Sequence, residues 1–162
     1  MVVSKLTIVS QIKATLSKTL ADGSVPSLDY LAGLFQEIPS DANLLFVNGY
    51  SISSAGSQSL DLSGSLTDVF GDACVFSKVY SVLVINLSTV TAKVIQVGGD
   101  TNHVPIFGAG ADYVIVGPKG AVHVSNCLDG WTVTAGTGDI VKIANPGGGT
   151  AISVAVAVLG KS

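Results

Sequence analysis

Val79-Tyr80-Ser81-Val82-Leu83-Val84-Ile85-Asn86-Leu87 is the stretch on which the fold turns. Its β-branched content favours a strand over a helix. Side chains alternate across a strand. One face therefore carries Val79, Ser81, Leu83, Ile85 and Leu87, and the other Tyr80, Val82, Val84 and Asn86. Both faces are largely apolar. Thr150–Leu159 reads the same way, with Ile152, Val154, Val156 and Val158 on one face. Ser153, Ala155, Ala157 and Leu159 form the other, which is mostly small. A strand from a two-sheet monomer normally shows one wet face. Neither stretch does, so their second faces are expected to be covered by the N-terminal segment or by a neighbouring subunit. The positions assigned to a subunit interface are Tyr80, Val82, Val84, Ala155, Ala157 and Leu159. The expected state is a homo-oligomer, with a trimer as the working number.

Further short apolar runs surround these two. Strands are expected at Leu44–Tyr50, at Leu60–Leu66 briefly, and at Val75–Leu87, Thr91–Val97, His103–Phe107 and Asp112–Val116. Others are expected at Ala121–Ser125, Trp131–Thr134, Asp139–Asn145 and Thr150–Leu159. Turn chemistry fills the gaps: Gly98-Gly99-Asp100, Gly117-Pro118-Lys119-Gly120, Asp129-Gly130 and Pro146-Gly147-Gly148-Gly149. Short strands at this spacing indicate an all-β, jelly-roll-like antiparallel β-sandwich over 44–162.

Residues 1–43 are expected to be a separate N-terminal arm or docking segment. Ile8, Ile12, Leu16 and Leu20 recur every four residues, a helical period. Thr7, Thr15 and Thr19 also permit a strand. Ser27 is placed to cap a short helix through Leu28, Leu31, Leu34 and Phe35, which would stop before Pro39.

Composition excludes several classes. Charged residues are 12% of the chain and mean hydropathy is +0.59. That balance raises the question of a membrane span. The longest apolar stretch, Ile152 to Leu159, is eight residues and is broken by Ser153. A spanning helix needs roughly twenty. The chain has no arginine and a net charge of −3, so phosphate-backbone binding has little to work with. No membrane and no direct nucleic-acid partner is expected. Surface polarity must come from Ser, Thr and Asn.

Sites of chemistry are weakly marked. Cys74, His103, His123 and Cys127 lack the ligand spacing of structural zinc. Gly108-Ala109-Gly110 is followed by a strand where a dinucleotide motif needs a helix. Asp61, Asp68 and Asp72 lack calcium-loop spacing and suit turn and cap roles. The one glutamate, Glu37, has no obvious partner for acid–base work. No metal, cofactor or catalytic residue is assigned, and no enzyme activity is expected. Cys74 and Cys127 are expected as unlinked thiols. Asn86-Leu87-Ser88 matches the glycosylation pattern, but the N-terminus shows no secretory signal.

Four segments carry a resemblance. Ser59-Leu60-Asp61-Leu62-Ser63-Gly64-Ser65-Leu66-Thr67-Asp68-Val69-Phe70-Gly71 resembles a segment of small proteins in tailed-phage and prophage structural modules. Val97-Gly98-Gly99-Asp100 is similar to a turn of that family. Gly130-Trp131-Thr132-Val133-Thr134-Ala135-Gly136-Thr137-Gly138-Asp139 is similar to a family hairpin, with Trp131 where the family usually has Tyr. The final strand, Ser153 to Gly160, is also similar. The resemblance covers about 44–160 and is looser before that. It implies a virion protein that decorates, or cements, the outer surface of the phage capsid. Such a protein is made in the host cytoplasm and partners the major capsid protein and itself. No catalytic residue transfers.

On this expectation the capsid-contact residues are Leu6, Ile8, Ile12, Leu16, Leu20, Leu34 and Phe35. The rival expectation is a tail or fibre component that binds a host glycan or receptor through Tyr50, Tyr113 and Trp131.

Overall fold

A computed structural model describes residues 7–17, 21–22, 24, 27–37, 39–64, 66–68, 70–147 and 149–162, with backbone only for 7–17 and 27–37. The chain divides into two compact units, one within Ser4–Ile38 and the other running over Pro39–Ser162. Among the described residues no helix is long and apolar enough to cross a membrane.

The first unit is an antiparallel pair, β1 (Thr7–Ser17) and β2 (Ser27–Glu37), in register from Thr7 opposite Glu37 to Ser17 opposite Ser27. The helical reading of this segment is therefore corrected to a hairpin. A spacing of four lies close to one helical turn, and it is also an even number. Even spacing keeps Ile8, Ile12 and Leu16 on one face of a strand as well. The threonines, and the pairing of two eleven-residue strands, decide for the sheet.

The second unit holds β3 (Leu44–Ile52), β4 (Ser57–Asp61), β5 (Leu66–Thr67), β6 (Ala73–Cys74), β7 (Lys78–Asn86), β8 (Ile95–Gly98) and β9 (Tyr113–Val116). It continues with β10 (Ala121–Ser125), β11 (Trp131–Thr132), β12 (Ile140–Ala144) and β13 (Ile152–Lys161). One sheet has the order β10-β7-β13-β3, with β11 also paired to β7; the other has the order β4-β12-β8-β9. β5 and β6 form a small separate hairpin. All ladders between these strands are antiparallel. The chain passes between sheets at β3–β4, β7–β8, β9–β10, β11–β12 and β12–β13, and reaches β7 from β4 through the β5–β6 hairpin. Two sheets of four strands each, with the short β11 added to one of them, wound in this way are a jelly roll. The strand expected at His103–Phe107 is a loop that touches β12 through one isolated bridge, His103 to Ile140.

The core lies between the sheets. Phe46, Ile52, Val82, Val84, Val154, Val156 and Val158 face Leu60, Ile95, Val97, Val116, Val141 and Ile143, and all are buried. Burying each such side chain contributes on the order of 2 kcal/mol.

One irregularity sets which residues of β7 point inward. β13 pairs Leu159 with Ser81 but Gly160 with Val79, so Tyr80 is an extra residue on β7. The bulge reverses the alternation there. Val79 therefore joins Val82 and Val84 in the core, although its parity differs from theirs. Gly160 allows this close approach. A Cβ at that position would collide with the Lys78 carbonyl and the Phe76 ring.

Two buried asparagines tie the sheets together at the end opposite the bulge. Asn86 donates to the carbonyls of Lys93 (2.8 Å) and Val116 (3.1 Å) and accepts from the Ser88 N–H (3.0 Å). Asn145 donates to Ile52 (3.1 Å) and Thr150 (3.0 Å) and accepts from Gly147 (3.1 Å). Asn86 is fully buried with its amide occupied, so the glycosylation pattern it begins is closed to modification.

Candidate assembly surfaces

The outward side of the β10-β7-β13-β3 sheet follows from the strand registers. Three rows cross it: Gly49, Ala155, Ile85 and Ala121; then Val47, Ala157, Leu83 and His123; then Leu45, Leu159, Ser81 and Ser125. None of these positions is Asp, Glu or Lys, whereas the next pairing, Lys161 with Lys78, brings two lysines to the end of the face. The centre is low, because Ala155 and Ala157 are small. Ridges flank it, with Leu83 and Ile85 on one side and Val47, 45% exposed, on the other. His123 does not break the pattern, since its Nε2 lies 2.9 Å from the Ser81 hydroxyl.

The outward side of the β4-β12-β8-β9 sheet has the opposite character. Its register aligns Ser57, Ser59 and Asp61 with Ala144, Lys142 and Ile140, and Gln96 lies beside Ala144. Lys142 donates to the Gly99 carbonyl at 3.1 Å. This outer side is dressed for water over β4 and β12, and turns apolar only at its β9 edge, where Ile115 lies opposite Gln96 and Tyr113 opposite Gly98.

Several residues assigned to the subunit interface lie elsewhere. Val82 and Val84 are 2% and 0% exposed and fill the chain's own core, which corrects their assignment. The bulge explains the error, because simple alternation put them opposite Val79. Tyr80 and Leu159, each 3% exposed, are covered within the chain and are corrected likewise. The Tyr80 ring lies so close to Gly130 that a Cβ there would meet it at 2.8 Å. Ala155 and Ala157 are half-buried on the outer face and stay available to a partner. The sequence reading missed Val47, Leu83 and Ile85 as members of that face. The alternation of Val79–Leu87 did place Leu83 with Ile85, but it could not say which side was outside.

Of the capsid-contact residues, Ile8, Ile12 and Leu16 lie on β1, and Leu34 and Phe35 on β2. Leu6 and Leu20 fall outside the described residues. The register sets Ile8, Ser10, Ile12, Ala14 and Leu16 opposite Gln36, Leu34, Ala32, Tyr30 and Leu28. This parity is mostly apolar. The other pairs Thr7 with Glu37, Lys13 with Leu31 and Thr15 with Asp29, and is mixed. Val9 opposite Phe35 belongs to the mixed set.

The sandwich begins with an anchored segment. The Tyr80 hydroxyl donates to Asp41 Oδ1 at 2.9 Å, and Lys161 Nζ pairs with Asp41 Oδ2 at 2.9 Å. Asn43 and Ser162 exchange two hydrogen bonds at 2.9 Å. Lys161 first, then Tyr80, holds the Asp41 carboxyl below its usual range. Burial, then the hydrogen bond to Asp41, pushes the Tyr80 phenol up to about 12. The neutral phenol is thus favoured by folding. Its stabilisation is complete below pH 10 and lost as pH rises from about 10 towards 12. An ultraviolet phenolate titration should show one tyrosine ionising near pH 12, and Tyr80→Phe should remove that step. A Tyr80 step near pH 10 would show that the contact is not formed.

The titratable groups are dispersed. His103 Nε2 bonds the Gly108 carbonyl at 2.7 Å, while His123 sits in the other sheet. Among the described residues no three of His, Cys, Asp and Glu gather as metal ligands. Asp68 accepts from the N–H groups of Phe70 (2.8 Å) and Asp72 (2.9 Å), and Asp139 accepts from Ser63 (2.8 Å) and Gly136 (2.6 Å). These acids shape turns. The cavity lined by Gly98, His103, Phe107, Asp112 and Lys142 has about 10 Å³, room for about one water. Cys74 is buried and Cys127 half-buried, neither is in a disulfide, and burial pushes both thiols up. Tyr50 and Trp131 are partly buried against the core on β3 and β11, whereas Tyr113 is exposed on β9 of the other sheet. The three aromatics named for glycan binding do not form one platform.

No known protein-family model matches the chain, and no curated protein matches it.

Proposed function

We propose that this chain is a head decoration protein of a tailed phage, a structural protein and not an enzyme. In this reading it is a homo-oligomer, a trimer by expectation, on the outer surface of the capsid. The observation that carries the proposal is the uncharged outer face centred on Ala155 and Ala157, set against the polar outer face of the other sheet. β3, β7 and β13 have nine, nine and ten residues and β10 has five, so the face spans roughly 19 Å by at most about 30 Å. That is a substantial part of the ~800 Å² per partner of a stable interface. The resemblance over 44–160 supplies the setting.

The hairpin of the first unit supplies the grip. A two-stranded sheet is marginal by itself and needs an apolar surface to lie against. Its Ile8, Ile12 and Leu16 parity is suited to the major capsid protein. Several such grips on one oligomer add up multiplicatively, so modest contacts hold firmly.

The test is co-sedimentation with undecorated capsids, comparing the full chain with a version starting at Pro39. That start point keeps Asp41 and Asn43, which hold Tyr80 and Ser162. The full chain is expected to pellet with capsids. The truncated chain is expected to stay in the supernatant as a folded oligomer of unchanged stoichiometry. Retention of binding after truncation would remove the hairpin from the interface. Failure of the full chain to bind any capsid, with binding to host-cell glycans, would replace decoration by the receptor-binding reading.

A further inference from the structure

β9 is an edge strand with unusual exposure. Among the described residues it pairs only with β8, in the register Ile95–Val116 to Gly98–Tyr113. Tyr113 is 48% exposed, Val114 36% and Ile115 59%. No residue of the strand is charged. Long apolar edges invite pairing with another chain, and proteins usually blunt them.

Two other edge strands of this sandwich are blunted by their own side chains. On β3 the Asn48 amide oxygen accepts the Gly49 N–H at 2.8 Å. On β4 the Gln58 amide donates to the Ser59 carbonyl at 3.1 Å. β9 carries no such plug.

The direction of its open groups follows from the ladder. The Asp112 carbonyl accepts from the Gly99 N–H at 2.9 Å, and Asp112 lies opposite Gly99 in the continued register. Hydrogen-bonded pairs alternate along an antiparallel ladder. Val114 and Val116 therefore bond towards β8, and the N–H and C=O of Tyr113 and Ile115 turn away from it.

We propose that β9 pairs antiparallel with β9 of a second copy, about a two-fold axis through Val114. The occupant is a second copy because this register satisfies both strands at once. Tyr113 meets Ile115 of the other copy in a hydrogen-bonded pair, and the reciprocal pair forms on the far side of the axis. Four hydrogen bonds result, and every outward group of Tyr113 and Ile115 is used. Tyr113 also packs across from an isoleucine, an aromatic–β-branched pair that favours sheets. The two copies of Asp112 lie at opposite ends and do not meet. The product is one sheet running through both molecules, from β4 of one to β4 of the other.

Four residues per chain give an interface well below the ~1,200 Å² of a stable complex. The pairing is therefore weak for isolated molecules and effective where copies are held close together. On the proposed reading it would link neighbouring decoration units on the shell. It uses the sheet opposite the Ala155–Ala157 face, so the two contacts do not compete.

Disulfide trapping tests it. Val114→Cys and Ile115→Cys are each made in a Cys127→Ser background and oxidised mildly at high protein concentration. Chance collision favours the more exposed position, Ile115. Pairing about Val114 brings the two Val114 Cβ atoms to about 5 Å, close enough to bridge, and leaves the two Ile115 positions offset. The expected result is covalent dimer forming at least tenfold faster from Val114→Cys. Adding Ile115→Pro should abolish that advantage, because it deletes an outward N–H without touching the β8 ladder. Equal rates, or a faster Ile115→Cys, would overturn the pairing. Adding Ala157→Asp separates this proposal from the outer-face oligomer. The advantage of Val114→Cys should persist when that oligomer is broken, and its loss would show that the cross-link depends on the other face.

Discussion

Ala157→Asp is expected to dissolve the sheet-face oligomer while leaving the sandwich folded. Ala157 sits at the middle of the outer face, between Val47 and Leu83 on the neighbouring strands. It is half-buried in the single chain, so an aspartate there stays hydrated in the monomer. In an assembly that covers this face, the carboxylate is stripped of water with no lysine on the neighbouring positions Val47 and Leu83. The cost of an unpaired buried charge is several kcal/mol. At about 3 kcal/mol, association weakens by more than about 100-fold. The molecular mass from light scattering should fall to that of the smaller species, with an unchanged circular-dichroism spectrum. Ser59→Asp on the wet outer face should leave the mass unaltered. An intact oligomer in the Ala157→Asp variant would place the subunit contact elsewhere.

Asn145→Leu should cause one of the largest losses of stability available to a single substitution here. The side chain is 1% exposed, and its amide joins the end of β12 to Ile52 of β3 and to Thr150. Leucine occupies similar space but leaves the Thr150 carbonyl and the Gly147 N–H without this partner. Each buried orphan costs about 1–3 kcal/mol. The total is about 3 kcal/mol, equivalent to roughly a 10 °C fall in Tm for a unit of this size. Asn86→Leu should behave similarly, since it removes the donor to the Lys93 and Val116 carbonyls and the acceptor of the Ser88 N–H. Asn48→Ser, on the exposed edge of β3, should shift Tm by a degree or two at most. Calorimetry distinguishes these outcomes. A fall of under 3 °C for both buried variants would mean that packing, not the asparagine ties, holds that end of the sandwich.

The strand pattern over 44–162 was legible in the sequence because it is local. β-branched runs and Gly, Asn, Asp and Pro turns mark a strand wherever they occur, as at Ala121–Ser125, whose bounds match the sequence reading. The absence of arginine and the low charge were equally legible, and they point to assembly by apolar surface. His103–Phe107 was misread because its alternating apolar residues pack under a loop that makes only one bridge.

Tertiary structure decided what local pattern cannot. Ile8, Ile12 and Leu16 fit a helix or a strand equally, and an eleven-residue partner strand settled the matter. On β7 and β13 the sequence showed two apolar faces but not which one turns inward. The bulge at Tyr80, made feasible by Gly160, moved Val82 and Val84 into the core and left Leu83 and Ile85 outside. Register is a long-range property. A one-residue slip exchanges the two faces of a strand, and only the pairing of distant segments fixes it.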